Sequence, residues 1–171
     1  DNIAEFGGDP GRVTVAGGGL PDHGAGLWIN NASNLLIDTC VIYSNVSADA
    51  GTFTYGGGIY AKDSWLTLVN SRLERNVSQS IGASYRNFGG GLFVSNGAAL
   101  IQDTEFVYNR ARATGTTAWG HGAGLYVASG AHVVRNCLFV QNEARGVSDN
   151  TTDSRGDGIL HAGGTLAIAQ S

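Results

Sequence analysis

A short glycine phrase that recurs along the chain limits its fold more than any other feature. Gly24-Ala25-Gly26-Leu27-Trp28 is followed by Gly56-Gly57-Gly58-Ile59-Tyr60, Gly89-Gly90-Gly91-Leu92-Phe93, Gly122-Ala123-Gly124-Leu125-Tyr126 and Gly156-Asp157-Gly158-Ile159-Leu160. The copies begin 32, 33, 33 and 34 residues apart. A fixed period in this range marks a solenoid, in which each repeat buries its apolar face against its neighbours. Function then has to be sought in columns of side chains that recur from coil to coil.

A second phrase keeps phase with the first. Leu36 to Asn45 aligns with Thr67 to Asn76, Leu100 to Asn109 and Val133 to Asn142. Each copy ends in Asn (Asn45, Asn76, Asn109, Asn142), has a large apolar residue three positions earlier (Ile42, Leu73, Phe106, Phe139) and a turn former six earlier (Thr39, Asn70, Asp103, Asn136). Between these points apolar and polar residues alternate, which is a strand period, and the density of glycine disfavours long helices. A propeller needs hairpin signals that are missing here, and a leucine-rich repeat has a shorter period. A parallel β-helix stacks equivalent residues about 4.8 Å apart, so that repeated Asn residues can bond to one another at a corner.

This reading divides residues 1–171 into one β-helix segment, with coils near 24–55, 56–88, 89–121 and 122–155 and partial coils at 1–23 and 156–171, about five coils in all. A bare coil needs roughly two-thirds of the period, judged from three short strands and their corners. The surplus falls in Val46 to Tyr55, Val77 to Phe88, Arg110 to His121 and Glu143 to Arg155, which are rich in small polar residues and are expected to project as stacked loops. Arg12 to Val15 resembles a strand of an earlier coil, and Thr165 to Ala169 a strand of a later one.

A net charge of −4 disfavours nucleic acid and anionic membranes as partners. No apolar run reaches transmembrane length. The chain starts at Asp1, has no Met and has Lys62 as its one lysine. A processed or internal segment of a longer chain is therefore expected, or ends that dock on another protein, because bare solenoid ends expose strand edges. Cys40 and Cys137 share a column three coils apart, about 14 Å at strand spacing, beyond the roughly 7 Å a disulfide tolerates. Both are expected to be buried thiols.

The Gly-Gly-apolar element (Gly57-Gly58-Ile59, Gly90-Gly91-Leu92) paired with Phe106-Val107-Tyr108-Asn109 and Phe139-Val140-Gln141-Asn142 resembles the repeats of polymorphic outer-membrane proteins and autotransporter passengers. The resemblance covers residues 24 to 161. It implies a right-handed parallel β-helix and an extracellular or cell-surface location, at a bacterial outer surface or in the periplasm. Two departures are Ala25 and Ala123 in place of the middle glycine, and a fifth copy that carries Asp157 and has no following Asn element.

Polysaccharide cleavage on a β-helix needs clustered carboxylates with a cation beside them. Gly120-His121-Gly122 and Asn150-Thr151-Thr152-Asp153 resemble polygalacturonase elements, but in the wrong order and without a paired Asp-Asp. The column Asp38, Val69, Gln102, Arg135 offers a single carboxylate. Asp149, Asp153 and Asp157 form the one acidic group and read as solvated loop. No catalytic residue, metal or cofactor is expected, and the chain leans away from being an enzyme.

Two ring-bearing columns flank the glycines: Trp28, Tyr60, Phe93 and Tyr126 after them, and His23, Tyr55, Phe88 and His121, continued by Arg155, before them. If Leu27, Ile59, Leu92 and Leu125 face inward, alternation sends the first set outward, where exposed rings could stack on a sugar or a protein. The alternative is that the long loops fold over the rings and bury them. The Asn column is expected to be a structural ladder. Four Asn residues match glycosylation acceptors, of which Asn31 and Asn150 are the more accessible. The expected function is that of a surface scaffold or adhesin-like module that binds a glycan or protein through its loop edge and aromatic columns, with possible end-to-end contacts through its termini. The alternatives are a segment of a pectin-lyase-like, carbohydrate-active enzyme and a structural subunit of a larger surface assembly.

Overall fold

The computed structural model describes residues 12–15, 26–49, 53–147 and 151–170. The chain is an all-β parallel solenoid of about 4 turns. Ile59–Val69 and Leu92–Gln102 run through the first sheet as long strands, joined in parallel by Leu27–Asn30 and Leu35–Asp38 on one side. On the other side stand Leu125–Val127, Ala131–Arg135, Ile159–His161 and Thr165–Ala169. A second sheet stacks Val41–Tyr43, Arg72–Glu74, Glu105–Val107 and Leu138–Val140. The core lies between these two sheets.

The register places like on like. Ile37, Leu68, Ile101 and Val134 form one inward column, and Ile42, Leu73, Phe106 and Phe139 another, with Phe106 and Phe139 stacked at 4.7 Å. Each fully buried aliphatic or aromatic side chain contributes about 1.5–3 kcal/mol of transfer free energy. The column Cys40, Ser71, Thr104, Cys137 holds small donors for the same task. Each donates to the carbonyl two residues earlier, as Ser71 Oγ does to Val69 O at 2.6 Å and Cys137 Sγ to Arg135 O at 3.3 Å. Cys40 and Cys137 are buried and no disulfide links them.

The corners are left-handed and mostly not glycine. Thr39, Asn70, Asp103 and Asn136 have φ of 48–52°, and Ser44, Arg75, Tyr108 and Gln141 have φ of 49–56°. Such residues cost about 1–2 kcal/mol each outside glycine. They persist because both neighbouring strands are hydrogen-bonded to the adjacent coils.

Two expectations are corrected. Arg12–Val15 pairs antiparallel with Leu27–Asn30, so it does not add a parallel coil, and the turns are fewer than five. The segments expected to be projecting loops are strands of a third parallel sheet: Val46–Asp49 with Phe53–Tyr55, then Val77–Phe88, Arg110–His121, and Glu143–Val147 with Thr151–Arg155.

Each long segment doubles back on itself. A Cβ on Gly120 would lie 2.3 Å from Ala111 O, within the same strand. Nine residues of straight strand span about 30 Å, so the two legs must be folded face to face. At the base of the arm, a Cβ on Gly90 would lie 2.3 Å from Arg110 O, so departure and return occur at one place. The result is a stack of narrow two-legged arms whose interior admits only small residues: Thr54, Ser78, Ser80, Asn87, Ala111, Ala113 and Ala118 are all buried. Side chains tie return legs to outgoing legs, as in Ser78 Oγ to Thr54 O at 3.0 Å and Asn87 Nδ2 to Arg112 O at 2.6 Å.

Candidate functional site

The neck where each arm leaves the cylinder is held by the asparagines. Asn76 and Asn109 are fully buried. Asn109 Oδ1 accepts from Asn76 N (3.0 Å) and Asn76 Nδ2 (3.1 Å), while its own Nδ2 donates to Leu73 O (2.8 Å) and Asn142 Oδ1 (3.0 Å). Asn45 and Asn142 extend the same ladder. The third glycine of each of the first four phrases faces this ladder. A Cβ on Gly91 would meet Gly124 O at 2.6 Å and Asn109 Cγ at 3.1 Å, which explains why the two sequence motifs keep phase. The first glycine turns the corner, with φ between 58 and 64° at Gly56, Gly89, Gly122 and Gly156.

Of the ring residues, His23 lies outside the described residues. Trp28, Tyr60, Phe93 and Tyr126 stand in one outward column of the first sheet, with Tyr60–Phe93 and Phe93–Tyr126 stacked at 5.2 and 5.4 Å. They are not open to solvent along their length: Tyr60 and Phe93 are 7% and 5% exposed. The return legs bring Tyr55 and Phe88 edge-on against them, Tyr55 to Phe93 at 4.9 Å and Phe88 to Tyr126 at 4.8 Å. The two columns therefore form a satellite core of interlocked rings that fixes the arms against the first sheet. Burial pushes the Tyr60 phenol up to about 12 and raises that of Tyr126, so both stay protonated.

Farther out on the same face of the return legs stands a column that the sequence reading did not single out: Phe53, Arg86, Trp119 and Asp153. Phe53 and Arg86 are exposed and Trp119 is half-buried. The Arg86 guanidinium lies 3.8 Å from the centre of the Trp119 ring and 5.8 Å from that of Phe53, held between the two. These residues precede the deep column by two positions (Phe53 and Tyr55, Arg86 and Phe88, Trp119 and His121), the strand period that becomes visible once the segments are known to be legs of a sheet.

His121 closes the deep column. It is buried, stacks on Trp119 at 6.1 Å, and has Nε2 3.5 Å from Asp153 Oδ2, while Arg155 Nε donates to Asp153 Oδ1 at 2.8 Å. Burial holds the His121 imidazole below its ordinary range and Arg155 adds to this, with Asp153 opposing. Asp149 and Asn150 lie outside the described residues.

At the corner between the first two sheets the polar groups pair with one another. A concavity of about 310 Å³ at the corner between the first two sheets is lined by Thr39, Asn70, Arg72, Asp103 and Glu105. Asp103 accepts from Asn136 and Gln102, and Arg72 pairs with Glu74 and Glu105. No group of three or more His, Cys, Asp or Glu placed to hold a metal occurs among the described residues. Trp65, 62% exposed on the outer face of the first sheet, is a further ring that the sequence reading passed over.

The stacked columns, the Asn ladder and the ring-backed arms define a parallel β-solenoid with an ordered arm edge. Over residues 22–165 the chain matches the family described as "Right handed beta helix region", and it belongs to that family. No curated protein and no solved structure matches it. No helix among the described residues is long and apolar enough to cross a membrane.

Proposed function

We propose that this β-helix is an extracellular, cell-surface binding module that engages a glycan through its arm edge, in the manner of adhesin-like passengers of the polymorphic outer-membrane type. The observation that carries this reading is the outer column of the return legs. There Phe53, Arg86 and Trp119 remain accessible at strand spacing after the deeper rings have been spent on internal packing. A rigid β scaffold that presents aromatic and guanidinium groups in a row suits recognition of a chain-like ligand, because the side chains are already ordered before binding. Cleavage of a polysaccharide is less well supported: it needs flanking carboxylates, and on this face Asp153 is engaged by Arg155 and lies against His121.

The test is binding of the purified chain to a panel of surface oligosaccharides, followed by mass spectrometry of each bound oligosaccharide after long incubation. The reading expects saturable binding with the oligosaccharide recovered intact. Shortened products would instead support the pectin-lyase-like alternative, and absence of any saturable binding would reject the glycan reading.

A further inference from the structure

Among the cationic side chains, one on the arm edge stands apart. Lys62, Arg72, Arg75, Arg110, Arg145 and Arg155 each have a carboxylate within 4.0 Å, and Arg135 donates to Gln102 Oε1 at 2.7 Å. Arg86 has no carboxylate partner among the described residues, yet it is not a loose surface cation. Trp119 at 3.8 Å and Phe53 at 5.8 Å hold its plane, in a column whose backbone is fixed by parallel pairing of Phe53 with Arg86 and of Arg86 with Trp119. Arg112 and Arg135 also lack a carboxylate partner among the described residues, but neither has such a ring contact there.

A guanidinium packed on one ring and within cation–π reach of a second keeps its N–H edge for a ligand. That edge matches a planar or tetrahedral oxyanion in a two-point contact, and its ordering has already been met by the fold. A neutral hydroxyl would use one donor and leave the charge unmatched. The geometry points to Arg86 as the specificity-determining residue of the arm edge, selecting glycans that carry a carboxylate or sulfate over neutral ones of the same backbone. This rests on the glycan-binding reading above and adds the ligand's charge class to it.

The experiment is a titration of the chain with three oligosaccharides of matched length: a neutral one, one bearing uronate carboxylates and one bearing sulfate esters. Arg86→Gln and Arg86→Lys are run alongside at low and physiological salt. The expected result is at least tenfold tighter binding of an acidic probe, weakened by salt. Arg86→Gln should reduce the acidic probe to the neutral affinity, and Arg86→Lys, which keeps the charge but not the fork, should fall between. The uronate and sulfate arms decide which oxyanion is read. Equal affinity for neutral and acidic probes, or an acidic preference that survives Arg86→Gln with an unchanged Tm, overturns this inference and leaves glycan binding standing. Failure of all three probes to bind overturns both.

Discussion

Replacing Asn109 by Ala removes the centre of the neck ladder, and the cost can be worked from its bonds. One backbone group loses its partner inside the protein: Asn76 N–H, which donates to Asn109 Oδ1, whereas Leu73 C=O gives up its bond from Asn109 Nδ2 but keeps its place in the parallel ladder with Glu105–Val107. The buried orphan costs about 1–3 kcal/mol, and the three further side-chain bonds, that to Leu73 O included, contribute about 1 kcal/mol each. The expected loss is about 4 to 6 kcal/mol, much of the 5–15 kcal/mol that holds a typical domain. Asn45→Ala is the control. Asn45 is half-buried at the start of the ladder, its side chain donates to Asn76 Oδ1, and that oxygen keeps the Asn45 N–H, so the loss should be about 1 kcal/mol. Urea unfolding followed by near-UV circular dichroism gives both values from the shift in midpoint at constant m. Equal losses for the two variants would refute the claim that buried, reciprocal amide bonding secures the neck.

Other outcomes follow from the same geometry. Gly91→Ala, whose new Cβ would sit 2.6 Å from Gly124 O, should cost about 3 kcal/mol, whereas Gly158→Ala, with its nearest atom at 3.6 Å, should stay within about 0.5 kcal/mol; thermal melts of both variants check this. Stability should also fall as pH drops below about 6.5, the unfolded imidazole value. His132 and His121 are held below it, chiefly by burial, so the folded chain binds fewer protons than the unfolded one and loses stability as they are forced to charge. His132→Leu, which continues the inward column of Leu35, Leu66, Ala99 and Leu166, should flatten the change in Tm between pH 8 and pH 5. The carboxylates of Asp38 and Asp103, held below their usual range chiefly by Asn70 and Asn136, act in a separate window below about pH 4.

The cylinder was legible in the sequence because its columns obey two strong rules: large apolar residues recur where the core is wide, and Gly faces Asn where the neck is narrow. The arms were not, because the space between their two legs holds almost nothing large. In Arg110-Ala111-Arg112-Ala113 and Ala118-Trp119-Gly120-His121 the inward positions hold only Ala or Gly, so the strand alternation carries no large apolar residue on its inner side and a hydropathy reading takes such a segment for loop. That error propagated to the site. With the segments treated as loops, Tyr55, Phe88 and His121 could be aligned as a column, but the partners two residues earlier, Phe53, Arg86 and Trp119, had no reason to share their face. The outward direction of Trp28, Tyr60, Phe93 and Tyr126 followed from alternation in the sequence. Their burial was the alternative that alternation left open, and the return legs that fold back across them decide it.

The rings divide the labour: the deep columns hold the arms, and the outer column is proposed to meet the ligand. The most direct test compares Phe53→Ala/Trp119→Ala with Phe93→Ala in one titration against a glycan that the wild-type chain binds, with Tm measured on the same samples. The account expects the outer pair to lose at least tenfold in affinity with Tm held within a few degrees, and Phe93→Ala to lose about 3–5 kcal/mol of stability as a buried aromatic does. Full affinity in the outer-pair variant, or a Phe93→Ala variant as stable as wild type, would contradict it.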